Sequence, residues 1–212
     1  LVNYGRKKKR IAGLRFEIEM PRVQNEKTED LTPDQLRSLL EAIEEDTNIQ
    51  AAHILKLALY TGMRRGEMFN LVWEDINWER EYILIRNPKG GVDSKIPLND
   101  SARKLLESHP RTESHYIFPG RGGNKRTDII KQVNRIKERA GLPKNFRALH
   151  GLRHVYASML ASSGKVDMYT LQKLLTHKSP KMTQRYAHLR DETLKKASNL
   201  AGSIIDEING SK

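Results

Sequence analysis

The sequence predicts a mainly α protein with one small antiparallel β-sheet, an α+β class. Three observations predict it. Apolar residues recur at helical spacing through most of the chain. One stretch, residues 81–98, changes to strand-like alternation around a Gly-rich turn. The 212 residues contain 37% hydrophobic side chains, which suffices for one sizeable domain with appendages.

The first 28 residues lack a sustained period. GRKKKR reads as an exposed basic segment and PRVQNEKTED as a linker. LTPDQLRSLLEAIEE then carries a start signal: Thr32 can cap, Pro33 suits the first helical position, and Gln35 stands three residues after the cap. Leu36, Leu39, Leu40 and Ile43 continue at helical spacing. AAHILKLALYTG, residues 51–62, reads as a buried helix ending near Gly62, and RRGEMFNL as a short one. EYILIRN alternates, KGGVDS supplies turn residues and KIPL returns, so a hairpin is expected with Lys89 closing its first strand. SARKLLESH returns to helix, and YIFPGRGGNK is strand-like and then loop. TDIIKQVNRIKERAG is an amphipathic helix ending at Gly141. HGLRHVYASMLASSG, DMYTLQKLLTH, SPKMTQRYAHL and DETLKKASNLAGSIIDEI read as four more, the first stopping at Gly164. In the last, Leu194, Ala197, Leu200, Ile204 and Ile205 form an apolar stripe.

The formal net charge is +12. Residues 1–50 sum to −1, so the excess belongs to the remainder, not to a basic tail. Such an excess favours a polyanionic partner, nucleic acid before an anionic membrane. No run of 18 apolar residues and no signal pattern occurs. The absence of cysteine excludes disulfides and thiolate zinc sites and fits a cytoplasmic protein. Because the chain begins at Leu1 and not Met, a fragment of a longer protein is expected.

Several polar residues have ordinary explanations when taken singly. Arg64 and Arg65 suit a solvated helix start, Lys89 a turn, and Tyr186 a packed ring with a wet hydroxyl. His177 suits a helix C-terminus, where the dipole favours a cation. A metallohydrolase could use His150, His154 and His177, and the first two, four apart, suit zinc, but no HExxH accompanies them and Arg153 would adjoin the cation.

Their order along the chain is more specific. TGMRRGE at 61–67, a lysine at the hairpin lip, HGLRH at 150–154, LLTH at 174–177 and TQRYAH at 183–188 follow one another, with LVWEDINWE, KIPL and YIFP between. This set resembles the catalytic domain of the tyrosine recombinases, or phage integrases, from about Leu31 to Leu189. The resemblance implies that family's catalytic-domain fold over 29–190. Residues 1–28 would be a basic segment and interdomain linker, preceded in full-length members by a helical domain that closes around DNA. Residues 191–212 would be a helical tail that packs on its own domain or on a neighbouring protomer.

The resemblance also implies roles. Arg64 matches the first catalytic arginine, Lys89 the hairpin lysine, His150 and Arg153 the H-x-x-R pair, His177 the histidine of the family's LGH, and Tyr186 the nucleophile. Two departures stand out: Thr176 replaces the usual glycine before His177, and Lys95 offers a second lysine across the turn.

The implied chemistry is site-specific cleavage and rejoining of DNA through a 3′-phosphotyrosyl ester. A phenol with a pKa of about 10 needs a proton acceptor, and an imidazole such as His150 suits that task. The leaving 5′-oxygen needs an acid, assigned to Lys89. Charge on the non-bridging oxygens needs forked cationic donors, assigned to Arg64 and Arg153, with one more hydrogen bond from His177. His154 is expected to be structural or supporting. No metal, ATP or other cofactor is implied.

Double-stranded attachment-site DNA is the implied partner, with Lys125, Arg126, Lys131 and Arg135 as candidate phosphate contacts. A homo-tetramer on DNA, accessory directionality factors, a cytoplasmic and nucleoid-associated location and a bacterial or phage origin are expected. No membrane association is expected. Two other readings stay open: a type IB topoisomerase-like relaxing activity and a non-catalytic DNA-binding module.

Overall fold

The computed structural model describes residues 30–86 and 92–210. Helix α1 (Pro33–Glu44) begins where the cap signal places it. The Thr32 side chain accepts from the Gln35 amide, and the Gln35 side chain returns a bond to the Thr32 amide. Helix α2 (Ile49–Thr61) buries most of its residues, as its near-continuous apolar sequence requires. It is the central element, packed by α1, by α4 (Asp100–Ser108), by α5 (Ile130–Arg139) and most extensively by α6 (Ala148–Ser162).

Between α2 and α4 lie the short helix α3 (Arg65–Asn70) and a three-stranded antiparallel sheet. Strands β2 (Tyr82–Ile85) and β3 (Ser94–Pro97) form the expected hairpin, with Ile83 opposite Ile96. The sheet gains a strand that alternation did not signal: β1 (Ile76–Asn77), two residues pairing Ile76 with Ile83. YIFP, expected to be strand-like, makes one bridge, Tyr116 to Val72, and otherwise buries Ile117 and Phe118 in the core. The turn carrying Lys89, and residues 1–28, lie outside the described residues.

Helices α7 (Met168–Leu174), α8 (Pro180–Gln184) and α9 (Asp191–Gly210) complete the chain, with a 3-10 turn at Ala187–Arg190. Among the described residues no helix is long and apolar enough to cross a membrane.

Apolar burial divides into two clusters. The large one holds α1, α2, the sheet, α4 and α5 together and takes Leu149, Leu152 and Val155 from the first half of α6. The small one gathers Ala157 and Ala161 from the second half of α6 around Leu171, Leu175 and Tyr186. His150, Arg153 and His154 therefore sit on the helix that joins the two clusters.

Candidate active site

Gly62 builds the first corner. It caps α2 in the left-handed conformation, at φ 64°. A Cβ there would fall 2.5 Å from Cδ1 of Tyr156, so the glycine also permits α6 to approach. Its carbonyl accepts from Nη1 of Arg153 at 2.6 Å. The other end of the Arg153 guanidinium donates to the Leu175 carbonyl. Arg153 is thus a buried cation held between the end of α2 and the end of α7. Burial, and then the charge of Arg64, lower its pKa to about 10, so it stays charged at neutral pH.

Arg64 follows two residues after Gly62. Its Nη1 donates to Glu67 at 2.7 Å and to the Thr176 hydroxyl at 2.6 Å. Glu67 also accepts from the Arg64 amide, which fixes the start of α3. The loop after α7 therefore touches both arginines through consecutive residues, Leu175 and Thr176. Thr176 reaches Arg64 from φ 48°, a left-handed conformation that β-branched residues rarely adopt. Its neighbour His177 shares a hydrogen bond of 2.8 Å between Nδ1 and the Thr183 hydroxyl. Burial first, then Arg153 and Arg64, lower the His177 pKa to about 3, so its ring is neutral.

Tyr186 follows α8, its ring packed in the small cluster and only 2% exposed. Its hydroxyl lies 2.6 Å from Nδ1 of His154, not on His150. His154 in turn meets His150, with Nε2 to Nε2 at 3.1 Å. Burial, then the neighbouring His150, lower the His154 pKa to about 4. Burial raises the phenol pKa, opposed by the charges of Arg185 and Arg153.

Arg64, His150 and Arg153 line one cleft of about 810 Å³, together with Arg65, Lys137 and Arg147. Its floor includes the apolar Ile130, Val133 and Phe146. Among the described residues no group of three metal-ligating side chains converges.

The outlying candidates are placed differently. Lys125 and Lys131 are exposed. Arg126 ties its loop to the fold, bonding the Phe118 carbonyl and the Gln50 side chain. Arg135 makes a two-pronged contact with the buried carboxylate of Asp46, which Arg139 also bonds. None of these four lines the cleft. Lys95 projects from β3 over the Tyr82 ring at 4.4 Å.

Four residues at the site had no role assigned from sequence: Glu67, Thr176, Arg185 and, as a contact of the phenol, His154. Glu67 had a readable signal, an acid three residues after Arg64 at a helix start. His154 had the four-residue spacing from His150. Arg185 gave none.

The sequence model of the phage integrase family matches residues 29–193. The tyrosine recombinase XerA of Pyrococcus furiosus is 32% identical over 206 residues, covering 93% of this chain and 71% of that protein. A tyrosine recombinase of Thermosipho africanus is 30% identical over 178 residues, covering 82% and 62%. The structure is similar to that of the XerH site-specific recombinase bound to palindromic difH substrate in a post-cleavage complex. The TM-score is 0.69 at 25% identity, over 86% of this chain and 56% of that one. The chain thus spans between about half and seven-tenths of these relatives' lengths. With the family model matched over residues 29–193 and the XerA relative 32% identical, the chain belongs to the phage integrase family, the tyrosine recombinases.

Proposed function

We propose that this chain is the catalytic part of a site-specific DNA recombinase that cleaves and rejoins strands through a 3′-phosphotyrosyl ester. One observation carries the reading: a phenol, two guanidinium groups and three imidazoles are linked through α6 and the loop after α7. Arg64 and Arg153 are permanent cations that neutralise the non-bridging oxygens as the phosphorane-like state gains charge. By analogy with oxyanion-hole donors, each is worth about 3–4 kcal/mol there. His177 adds a hydrogen bond. Tyr186 Oη attacks phosphorus, the bond to O5′ breaks, and Lys89 on the hairpin protonates the leaving oxygen, with Lys95 as the alternative donor. The ester preserves the bond energy, so a second 5′-hydroxyl can reverse the step on a new strand.

Double-stranded DNA is the substrate, and relatives named as recombinases favour recombination over relaxation. Lys125 and Lys131 are exposed cations available for phosphate. Arg126 and Arg135 would have to share their guanidinium groups with protein acceptors. The domain division at 28 and 190 belongs to the same reading, as do a homo-tetramer on DNA, directionality factors and action at the nucleoid. The apolar residues of α9 support the tetramer: Leu194, Leu200, Ile204, Ile205 and Ile208 are all exposed.

The test is a library of nicked suicide duplexes, in which a cleaved strand cannot religate. A protein–DNA adduct stable to denaturation, absent in Tyr186→Phe, is expected. An adduct that survives Tyr186→Phe, or none from the wild type, refutes the reading.

A further inference from the structure

We propose that His154 relays the nucleophile's proton from the buried Tyr186 hydroxyl to His150. The inference rests on Tyr186 being the nucleophile, and it gives His154 a reacting role in place of a supporting one.

The argument starts from burial. Tyr186 is 2% exposed and His154 3%, so water is a poor acceptor for the phenol proton. The hydroxyl instead meets Nδ1 of His154 at 2.6 Å. The opposite nitrogen of that ring, Nε2, meets Nε2 of His150 at 3.1 Å. His150 is exposed and lines the cleft. The three groups form one hydrogen-bonded line from the small apolar cluster to the surface. Helix geometry builds half of it. Residues four apart share a face, and the two imidazoles stand nearly perpendicular, at 84°, with centroids 4.7 Å apart.

Imidazole is the side chain suited to this position, because it accepts at one nitrogen while donating from the other. A phenol donating to Nδ1 fixes His154 as the Nε2–H tautomer, and that hydrogen points at His150. As Tyr186 Oη bonds to phosphorus and O5′ departs, the phenol proton passes to Nδ1 of His154. The Nε2 proton passes to Nε2 of His150, which becomes the imidazolium. The leaving O5′ takes its own proton from the general acid. His154 is neutral before and after the step, which agrees with its depressed pKa.

The test has two arms. Without DNA, nitrogen-15 NMR of the full chain reads the tautomers. An Nε2–H His154 is expected, with its Nδ1 signal shifted in Tyr186→Phe. An Nδ1–H tautomer overturns the relay whether or not the protein cleaves DNA. With the suicide substrate, His154→Phe keeps ring volume and His154→Gln keeps both a donor and an acceptor. Each is expected to slow single-turnover cleavage by about 10²- to 10⁴-fold, with DNA affinity within about two-fold of wild type. Gln cannot exchange its proton as imidazole does, so wild-type cleavage by His154→Gln would show that the residue only holds the tyrosine. Difluorotyrosine at position 186, whose phenol is more acidic, is expected to recover part of the loss in either variant. A defect unchanged by that replacement also overturns the relay.

Discussion

Gly62 and Thr176 both sit in the left-handed region, for opposite reasons. Gly62 is there as the cap of α2, and a side chain at that position would also strike Tyr156. Gly62→Ala is therefore expected to cost about 2–4 kcal/mol, combining φ strain with a clash at a ring carbon, read by urea unfolding. Thr176 pays strain that glycine would avoid, and its hydroxyl holds Arg64 in return. Two substitutions separate the effects. Thr176→Val retains the strain and loses the bond, with an expected loss of about 1–2 kcal/mol. Thr176→Gly loses the bond but relaxes the backbone, and should melt above the valine variant by roughly 1 kcal/mol of stability. Equal melting of the two would show that the strain relieved is no larger than the entropy glycine adds to the unfolded chain.

At the scale of elements, α6 joins two apolar clusters and carries His150, Arg153 and His154 between them. A polar fastening joins α1 to α5. The Asp46 carboxylate, fully buried after α1, receives Arg135 and Arg139 from α5. Burial alone would raise its pKa. The hydrogen bonds from Arg135 and the Asn48 amide, and the two arginine charges, hold it below the usual carboxylate value. Asp46→Ala is expected to cost about 1–3 kcal/mol and loosen α5, measured by thermal melting and by amide exchange in α5. The tail helix α9 makes the other elemental prediction. Its large apolar side chains face solvent, an arrangement that suits a partner surface. Leu200→Glu with Ile204→Glu should leave monomer stability within about 0.5 kcal/mol and abolish higher assembly on DNA, read by light scattering. Unchanged assembly would remove α9 from the interface.

Over the whole molecule, buried and half-buried histidines set an acid limit. His109, His154 and His177 have pKa values lowered to about 4, 4 and 3, with burial the largest cause in each. An unfolded histidine titrates near 6.5. Folded stability is thus intact above pH 6.5 and drains away as the pH falls toward 4, because only the unfolded chain takes up these protons. Urea midpoints should fall steadily across that window, and His109→Phe should flatten the slope. Much of the fold was legible beforehand. The Thr32 cap, the stops at Gly62, Gly141 and Gly164, and the hairpin pairing are local matters of φ and alternation. Strand β1 has no local signature because two residues carry no period, and YIFP reads as a strand because an apolar run serves a core as well as a strand. At the site, the motifs point to Arg64, Lys89, His150, Arg153, His177 and Tyr186 as a candidate set but carry no information on their contacts. The helical class, the cap and turn positions, the positive charge and the family are all readable along the chain, since each depends on residue type and near-neighbour spacing. Packing in three dimensions is what brings Tyr186 to His154, Thr176 to Arg64, and Arg126 and Arg135 to acceptors on the protein itself. Those contacts join residues from 32 to 112 positions apart, or turn on which way a packed side chain points, and no local pattern encodes either.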